Sequence, residues 1–276
     1  MPNGRADLGP RMAQLELRNV VHDYTRGKQR VRALDGVTLS IPGRQFVSLI
    51  GPSGAGKSTM LHMMGAIDTP SSGDVLLGGR DLRRLDDNEL ADTRRRKVGF
   101  IFQFFNLLPM LSAWENVAVP QLLDGVQLSK VRPRAIELLD RVGLADRADH
   151  RPGELSGGQM QRVAIARSLV MDPAVILADE PTGNVDSDTG NEIVELLYEL
   201  THENGAERAV VMATHNLDAA ICTDRTILLI DGVINADAHP ADVLPKFAGD
   251  ALGTGHDRPR LRLVDEAAEG PRFGQS

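Results

Sequence analysis

The run Phe46-Val47-Ser48-Leu49-Ile50, stopped by Gly51-Pro52, predicts a short strand buried on both faces. Upstream, Leu15-Glu16-Leu17 and Val37-Thr38-Leu39-Ser40-Ile41 alternate apolar with polar positions, and Pro42-Gly43 closes the second. That is the pattern of antiparallel strands with one buried face. From Phe46 onward apolar runs alternate with helix-period segments. Residues 58–64 place Met60, Leu61 and Met64 for one helix, and runs at 174–178 and 209–212 predict further strands of a mostly parallel sheet. Asp231-Gly232, between two apolar runs, predicts a hairpin turn. Charges dominate residues 81–97, and the segment from Phe104 to about Met171 reads as largely helical. Within it Pro133 lies near the first turn of a helix, Ile136, Leu139 and Val142 share a face, and Gly143 lies just past the end. The expected organisation is a loose leader over residues 1–11 and an α/β domain over 12–236, with a helical part inserted at about 104–171. A tail of uncertain order follows over 237–276, in which Arg260-Leu261-Arg262-Leu263 alternates like an edge strand.

Composition narrows the class. The chain has 276 residues, 42% hydrophobic and 25% charged, with a net charge of −7. It is long enough for a substantial core, and its acidity argues against nucleic acid as the main partner, which would need a clustered positive field. One cysteine, Cys222, excludes an internal disulfide framework, and its expected place is a small, inert, at least half-buried position. No run of 18 apolar residues occurs, so any membrane association is expected to come through a partner.

Gly51-Pro52-Ser53-Gly54-Ala55-Gly56-Lys57-Ser58 has the spacing of a phosphate-binding loop, between the predicted strand and a helix that continues through Thr59. Glycines let successive backbone N–H groups turn toward an anion, and the helix N-terminus adds its positive end. Lys57 is expected to reach the β- and γ-phosphates and Ser58 to hold Mg²⁺. Asp179-Glu180 closes the apolar run from Ala174, presenting two carboxylates where ligands collect in open α/β sheets. Asp179 suits Mg²⁺ and Glu180 suits a water-activating base. Leu155-Ser156-Gly157-Gly158-Gln159 opens another helix. Ser156 and Gln159 have capping-box spacing, but a cap leaves two helix-weakening glycines unexplained, and glycines at a helix start also permit close approach of an anion.

These segments, with Phe102-Gln103 between them and His215 after a strand, resemble the ATP-binding-cassette (ABC) ATPase family over about residues 13–236. The resemblance implies a P-loop NTPase core with an N-terminal antiparallel β subdomain and an inserted helical subdomain. It implies ATP and Mg²⁺ as cofactors. It also implies head-to-tail homodimers in which ATP on residues 51–59 of one copy is closed over by Leu155, Ser156, Gly157, Gly158 and Gln159 of the other. Gln103 then matches a glutamine touching Mg²⁺ and the attacking water, and His215 a γ-phosphate contact. Asp186 matches a residue communicating across the dimer, and Tyr24 an aromatic stacked on adenine. Ordinary packing remains the alternative for Tyr24, and a plain surface or core histidine for His215.

The segment from Arg94 through Asn106-Leu107-Leu108-Pro109 to Glu115-Asn116-Val117 is similar to the group of macrolide exporters, lipoprotein-release ATPases and the cell-division ATPase FtsE. That likeness implies an integral membrane permease of FtsX/MacB type docked around Phe104 and Asn116, and a peripheral place on the cytoplasmic face of the cell membrane. Phe104, Phe105, Leu107 and Leu108 read more often as core than as interface, but the likeness places this segment beside the groove that receives a membrane subunit, so a partly apolar exposed groove is expected there. Two departures stand out: Val185 where leucine is usual, and Asn216 after His215 where aspartate is common. The rivals are an FtsE-like regulator that transports nothing and a soluble DNA-repair ATPase. The second is disfavoured because the stretch from Lys57 to Ser156 holds no sustained heptads and no cysteine pairs.

Overall fold

A computed structural model describes residues 13–26 and 29–251. The leader over residues 1–11 and the alternating segment at Arg260 to Leu263 lie outside the described residues.

Two sheets organise the chain. The first is antiparallel, in the order β2 (Gln29–Pro42), β1 (Ala13–Arg26), β4 (Ser72–Leu77), β5 (Arg80–Asp81). The second has six strands in the order β10 (Val233–Ala238), β9 (Arg225–Ile230), β3 (Phe46–Ile50), β8 (Ala209–Ala213), β7 (Val175–Asp179), β6 (Val98–Ile101). Within it only the β9–β10 pair is antiparallel. Its turn is Asp231-Gly232, both at positive φ (48° and 76°), as a two-residue hairpin requires.

The continuous apolar runs of β3, β7 and β8 follow from burial on both faces. Phe46, Ile176, Ala178, Val210 and Met212 point into one core, packed by Val117 of α3 (Ala113–Leu123), Leu138 and Leu139 of α4 (Leu128–Arg141), and Val163 and Ile165 of α5 (Gly157–Leu169). Their neighbours Val47, Leu49, Val175, Leu177 and Val211 point the other way. There they meet Met60 and Leu61 of α1 (Lys57–Met64) and the inner face of the antiparallel sheet, including Leu15, Leu17, Leu39 and Ile41. Period-two alternation thus feeds two cores at once.

Several elements differ from the sequence pattern. The charged stretch before β6 holds α2 (Asp87–Lys97), started by a reciprocal capping box between Asp86 and Glu89. Pro133, expected near the first turn, sits in the second: α4 begins at Leu128, five residues earlier than the proline, so one hydrogen bond near the N-terminus is forgone. Cys222 is exposed at the end of α7 (Leu217–Ile221) rather than packed inside, and partial desolvation with the nearby charges of Asp218 and Glu195 pushes its thiol above the ordinary range. Beyond Ala236, β10 runs on to Ala238. Helix α8 (Pro240–Ala251) then buries Val243 and Leu244 against Ile50, Ala220 and Leu228. The remaining long helix, α6 (Ser187–His202), covers the first core with Ile193, Val194 and Leu197.

Candidate functional site

Parallel strands point the same way, so the loops after β3, β6, β7 and β8 gather at one edge of the sheet. These loops carry the residues singled out from the sequence. After β3, Gly51 has φ 152°, and a Cβ there would stand 2.1 Å from the Leu229 carbonyl oxygen, so only glycine lets the loop leave the sheet. Gly56 caps α1 at φ 103°, with no side chain taking up the helix-start N–H groups. These donors, with the helix dipole behind them, make an anion cradle. Pro52 and Ala55 close the loop through an Ala55 N–H to Pro52 carbonyl bond of 3.2 Å, and Ser53 and Gly54 form its exposed tip. Lys57 arches over it, its Nζ donating to the carbonyls of Gly51 (2.8 Å) and Pro52 (3.1 Å).

Two contacts join this loop to its neighbours. Ser58 Oγ donates to Asp179 Oδ1 at 3.1 Å, tying the start of α1 to the end of β7. Tyr24 Oη lies 3.4 Å from Thr59 Oγ1, with the ring half-exposed and edge-on to His22 at 4.6 Å between centroids. The tyrosine thus stands beside the loop with an open face.

Glu180 directly follows β7 and takes φ +49°, an uncommon conformation for a residue with a Cβ. Its backbone N–H donates to Ala213, and its carboxylate lies 2.7 Å from Nδ1 of the exposed His215. Gln103, after β6, is held by the same loop: its carbonyl accepts from Asn184 Nδ2 at 2.7 Å, and its amide covers Gly183, where a Cβ would come within 3.0 Å. Asn184, given no role by the sequence reading, therefore anchors Gln103. Asn216 caps α7 by accepting from the N–H groups of Asp218 and Ala219.

The Leu155 to Gln159 segment stands apart. Leu155 is buried, Ser156 and Gln159 form the reciprocal capping box, and among the described residues no hydrogen bond joins residues 155–159 to 51–59. The paired glycines have a packing role that the sequence alone hid. A Cβ on Gly158 would stand 2.4 Å from Thr189 Cγ2, and one on Gly157 3.3 Å from the Asn184 carbonyl, so the start of α5 sits close against the start of α6. Asp186 caps α6, accepting from Thr189 N (3.0 Å) and Thr189 Oγ1 (2.8 Å). These bonds hold its carboxyl below the usual carboxylate range.

Comparison with known proteins gives this arrangement a family. Residues 34–183 match the family model described as ABC transporter. The chain belongs to the ABC transporter family. It is 47% identical over 81% of its length to the lipoprotein-releasing system ATP-binding protein LolD of Geobacter metallireducens, covering 98% of that protein. It is 44% identical over 83% of its length to the macrolide export ATP-binding/permease protein MacB of Chlorobaculum tepidum, of which it spans only 34%. Among solved structures, a dimeric post-hydrolysis state of an ATP-binding cassette from Methanocaldococcus jannaschii, bound to ADP and Pi, superposes with a TM-score of 0.75. That match is at 43% identity and covers 82% of this chain and 98% of that one. The fold is accordingly the ABC ATPase fold, and the chain is an ATP hydrolase by family.

Two of the cavities among the described residues flank the ATPase core. One, of about 490 Å³, lies at the opposite edge of the sheet. Its buried Arg208 pairs with Asp172 at 2.8 Å and its Arg141 with Glu203 at 2.8 Å, so charges of both signs already answer each other. The other, of about 450 Å³, runs between α2, β6, α3 and α5 and is mostly apolar, walled by Phe100, Phe102, Pro120, Leu123 and Met171. Phe104 and Leu108 are exposed nearby, whereas Phe105 is half-buried and Leu107 packs on the core. No helix among the described residues is long and apolar enough to cross a membrane.

Proposed function

We propose that this chain is the ATP-hydrolysing subunit of a membrane permease complex, acting as a homodimer closed over two ATP molecules from the cytoplasmic face of the membrane. The observation that carries the reading is the Ser58 to Asp179 contact: it brings the end of the phosphate loop and the end of the acidic strand to one point at the sheet edge.

The loop N–H groups of residues 51–59 and the Lys57 ammonium receive the phosphate oxygens, and Tyr24 offers its exposed ring to the adenine. Ser58 Oγ, Asp179 and the Gln103 side-chain oxygen would hold Mg²⁺. Hard oxygen donors with a single carboxylate suit an ion that takes its other ligands from phosphates and water. When bound, that ion neutralises charge on the β- and γ-phosphates. Glu180 accepts the proton of the attacking water. An ionised carboxylate only accepts, so His215 Nδ1 carries the proton in its contact with Glu180, fixing where the base points. No covalent intermediate on the protein is required.

The dimer reading is supported by an α5 start that is capped and, among the described residues, makes no hydrogen bond to the phosphate loop of its own chain. Ser156, Gly157, Gly158 and Gln159 would complete the site of a second copy, with Asp186 nearby, as the dimeric structural relative supports. The permease assignment rests on the groove lined by Phe102, Asn106 and Leu123, on the exposed Phe104 and Leu108 of the same segment, and on the relatives. LolD is named for lipoprotein release, and MacB is named a permease as well as an ATP-binding protein, of which this chain spans a third. A separate FtsX/MacB-type membrane subunit would supply the rest, for export, extraction of lipid or lipoprotein, or mechanical signalling.

The test is capture from detergent-solubilised membranes with Glu180→Gln, ATP and Mg²⁺, followed by mass spectrometry. Recovery of an integral membrane permease is the expected result. Recovery of only soluble protein or nucleic acid would overturn the membrane assignment.

A further inference from the structure

Helix α5 carries, two turns beyond the signature residues, a cation that the roles above leave unused. Arg167 Nη2 donates to the Phe105 carbonyl at 2.8 Å and Nη1 to the Asn106 carbonyl at 2.5 Å. Among the described residues it has no carboxylate partner. Burial pushes its guanidinium below the usual arginine range, although an arginine stays charged at neutral pH. A half-buried cation spent on two neutral carbonyls is an uncommon arrangement, and the backbone of the two residues it grips is uncommon as well.

Phe105 and Asn106 both adopt left-handed backbone, at φ 60° and 50°. A Cβ disfavours this conformation, more at Phe105 than at Asn106 because asparagine tolerates it, so the turn gains from outside support. The fork geometry of a guanidinium supplies it by holding two consecutive carbonyls at once. The helix behind Arg167 is firmly seated, with Val163, Ala164, Ile165, Ala166, Ser168 and Leu169 all buried. Only Phe104 intervenes between this turn and Gln103. Gln103 is thus anchored on one side by Asn184 and on the other by the turn that Arg167 grips. Arg167, Phe102 and Asn106 also line the apolar groove, so the turn is part of the groove wall.

We infer that Arg167 is a positioning residue: it holds Phe105 and Asn106 in their left-handed turn and so sets the place of Gln103 at the hydrolytic site. The inference rests on the proposed role of Gln103, and its test separates the two ideas.

The purified full-length chain is compared as wild type, Arg167→Lys, Arg167→Met, Asn106→Gly and Arg167→Met with Asn106→Gly. Amide hydrogen exchange by mass spectrometry is combined with kcat and KM for Mg·ATP. In Arg167→Met, exchange over residues 103–108 should rise about tenfold or more, while α5 and β7 keep wild-type rates. The kcat should fall about tenfold with KM unchanged, as expected when a reacting group is misplaced but binding persists. Arg167→Lys should be intermediate, since an ammonium lacks the fork. Asn106→Gly should restore part of the kcat lost in Arg167→Met, because glycine needs less support at positive φ. Wild-type exchange over 103–108 in Arg167→Met would overturn the inference. So would acceleration spread evenly over α3, α4 and α5, which would make Arg167 a general packing residue. Fast local exchange with unchanged kcat would leave the grip on the turn standing and remove Gln103 from hydrolysis instead.

Discussion

Glu180 and His215, on loops after adjacent strands, meet at 2.7 Å between Oε2 and Nδ1, and the same oxygen lies 3.4 Å from the His215 backbone N–H. In the proposed mechanism the pair joins a base to the group that aims it. Glu180→Gln is expected to abolish turnover while preserving an ATP-induced dimer, read by light scattering with ATP and Mg²⁺. His215→Ala should lower kcat by about 10²-fold or more, the range of a disrupted acid–base group. Wild-type turnover in Glu180→Gln would remove it as the base.

Ser58 Oγ donates to Asp179 Oδ1 at 3.1 Å, and the two are the proposed ion-holding pair. Ser58→Ala and Asp179→Asn should each raise the Mg²⁺ concentration for half-maximal ATPase activity, by roughly 10–100-fold if the losses match those seen when metal sites are disturbed. An unchanged Mg²⁺ titration in both variants would place the ion elsewhere.

Gly158 has no room for a methyl group beside Thr189. Gly158→Ala should therefore destabilise the fold by about 1–3 kcal/mol, less a gain of up to about 1 kcal/mol in helix propensity. In a Thr189→Ser background the offending methyl is gone while the hydroxyl that donates to Asp186 is kept, and the same change should become neutral or stabilising. Urea unfolding of the four proteins checks the cycle. Equal effects in both backgrounds would show that the contact is not limiting.

Asp186 has a folded-state pKa below its ordinary value because it accepts from Thr189. Its cap therefore contributes fully above the unfolded carboxyl pKa of about 3.9 and is lost as pH falls through the lower folded value. Wild type should lose stability relative to Asp186→Asn between about pH 4 and pH 2. Parallel pH-stability curves would contradict the bond pattern at the start of α6.

Phe104 and Leu108, at 73% and 48% exposure, are exposed apolar side chains of the segment whose Phe102 and Asn106 line the groove, where Leu123 is exposed as well. Replacing both with serine should abolish capture of the permease while leaving nucleotide binding intact, measured by pull-down and by fluorescent-nucleotide titration. Intact capture would place the partner on another face.

Much of this protein is set locally. The strands β3, β7 and β8 were legible as apolar runs because strands buried on both faces need no polar positions. The phosphate loop, the Asp231-Gly232 hairpin and the Ser156 to Gln159 cap were legible because turns and helix starts depend on neighbouring residues alone. Helix α2 was not, since its stability comes from caps and charge pairs such as Arg96 with Asp92 rather than from an apolar face. Nor was α8, whose Val243 and Leu244 are explained only by the pocket that Ile50 and Leu228 leave open. At the site, the sequence named Ser58, Asp179, Glu180, Gln103 and His215, but not which of them touch. Parallel strands brought their loops to one edge, and that long-range pairing paired Ser58 with Asp179 and His215 with Glu180. Asn184, Thr189 and Arg167 act through contacts with residues distant in the chain or across a helix interface, and such contacts leave no local pattern to read. Tertiary structure alone decided them, because the backbone carbonyls and methyl groups they meet are placed by the packing of whole helices and not by any neighbouring residue.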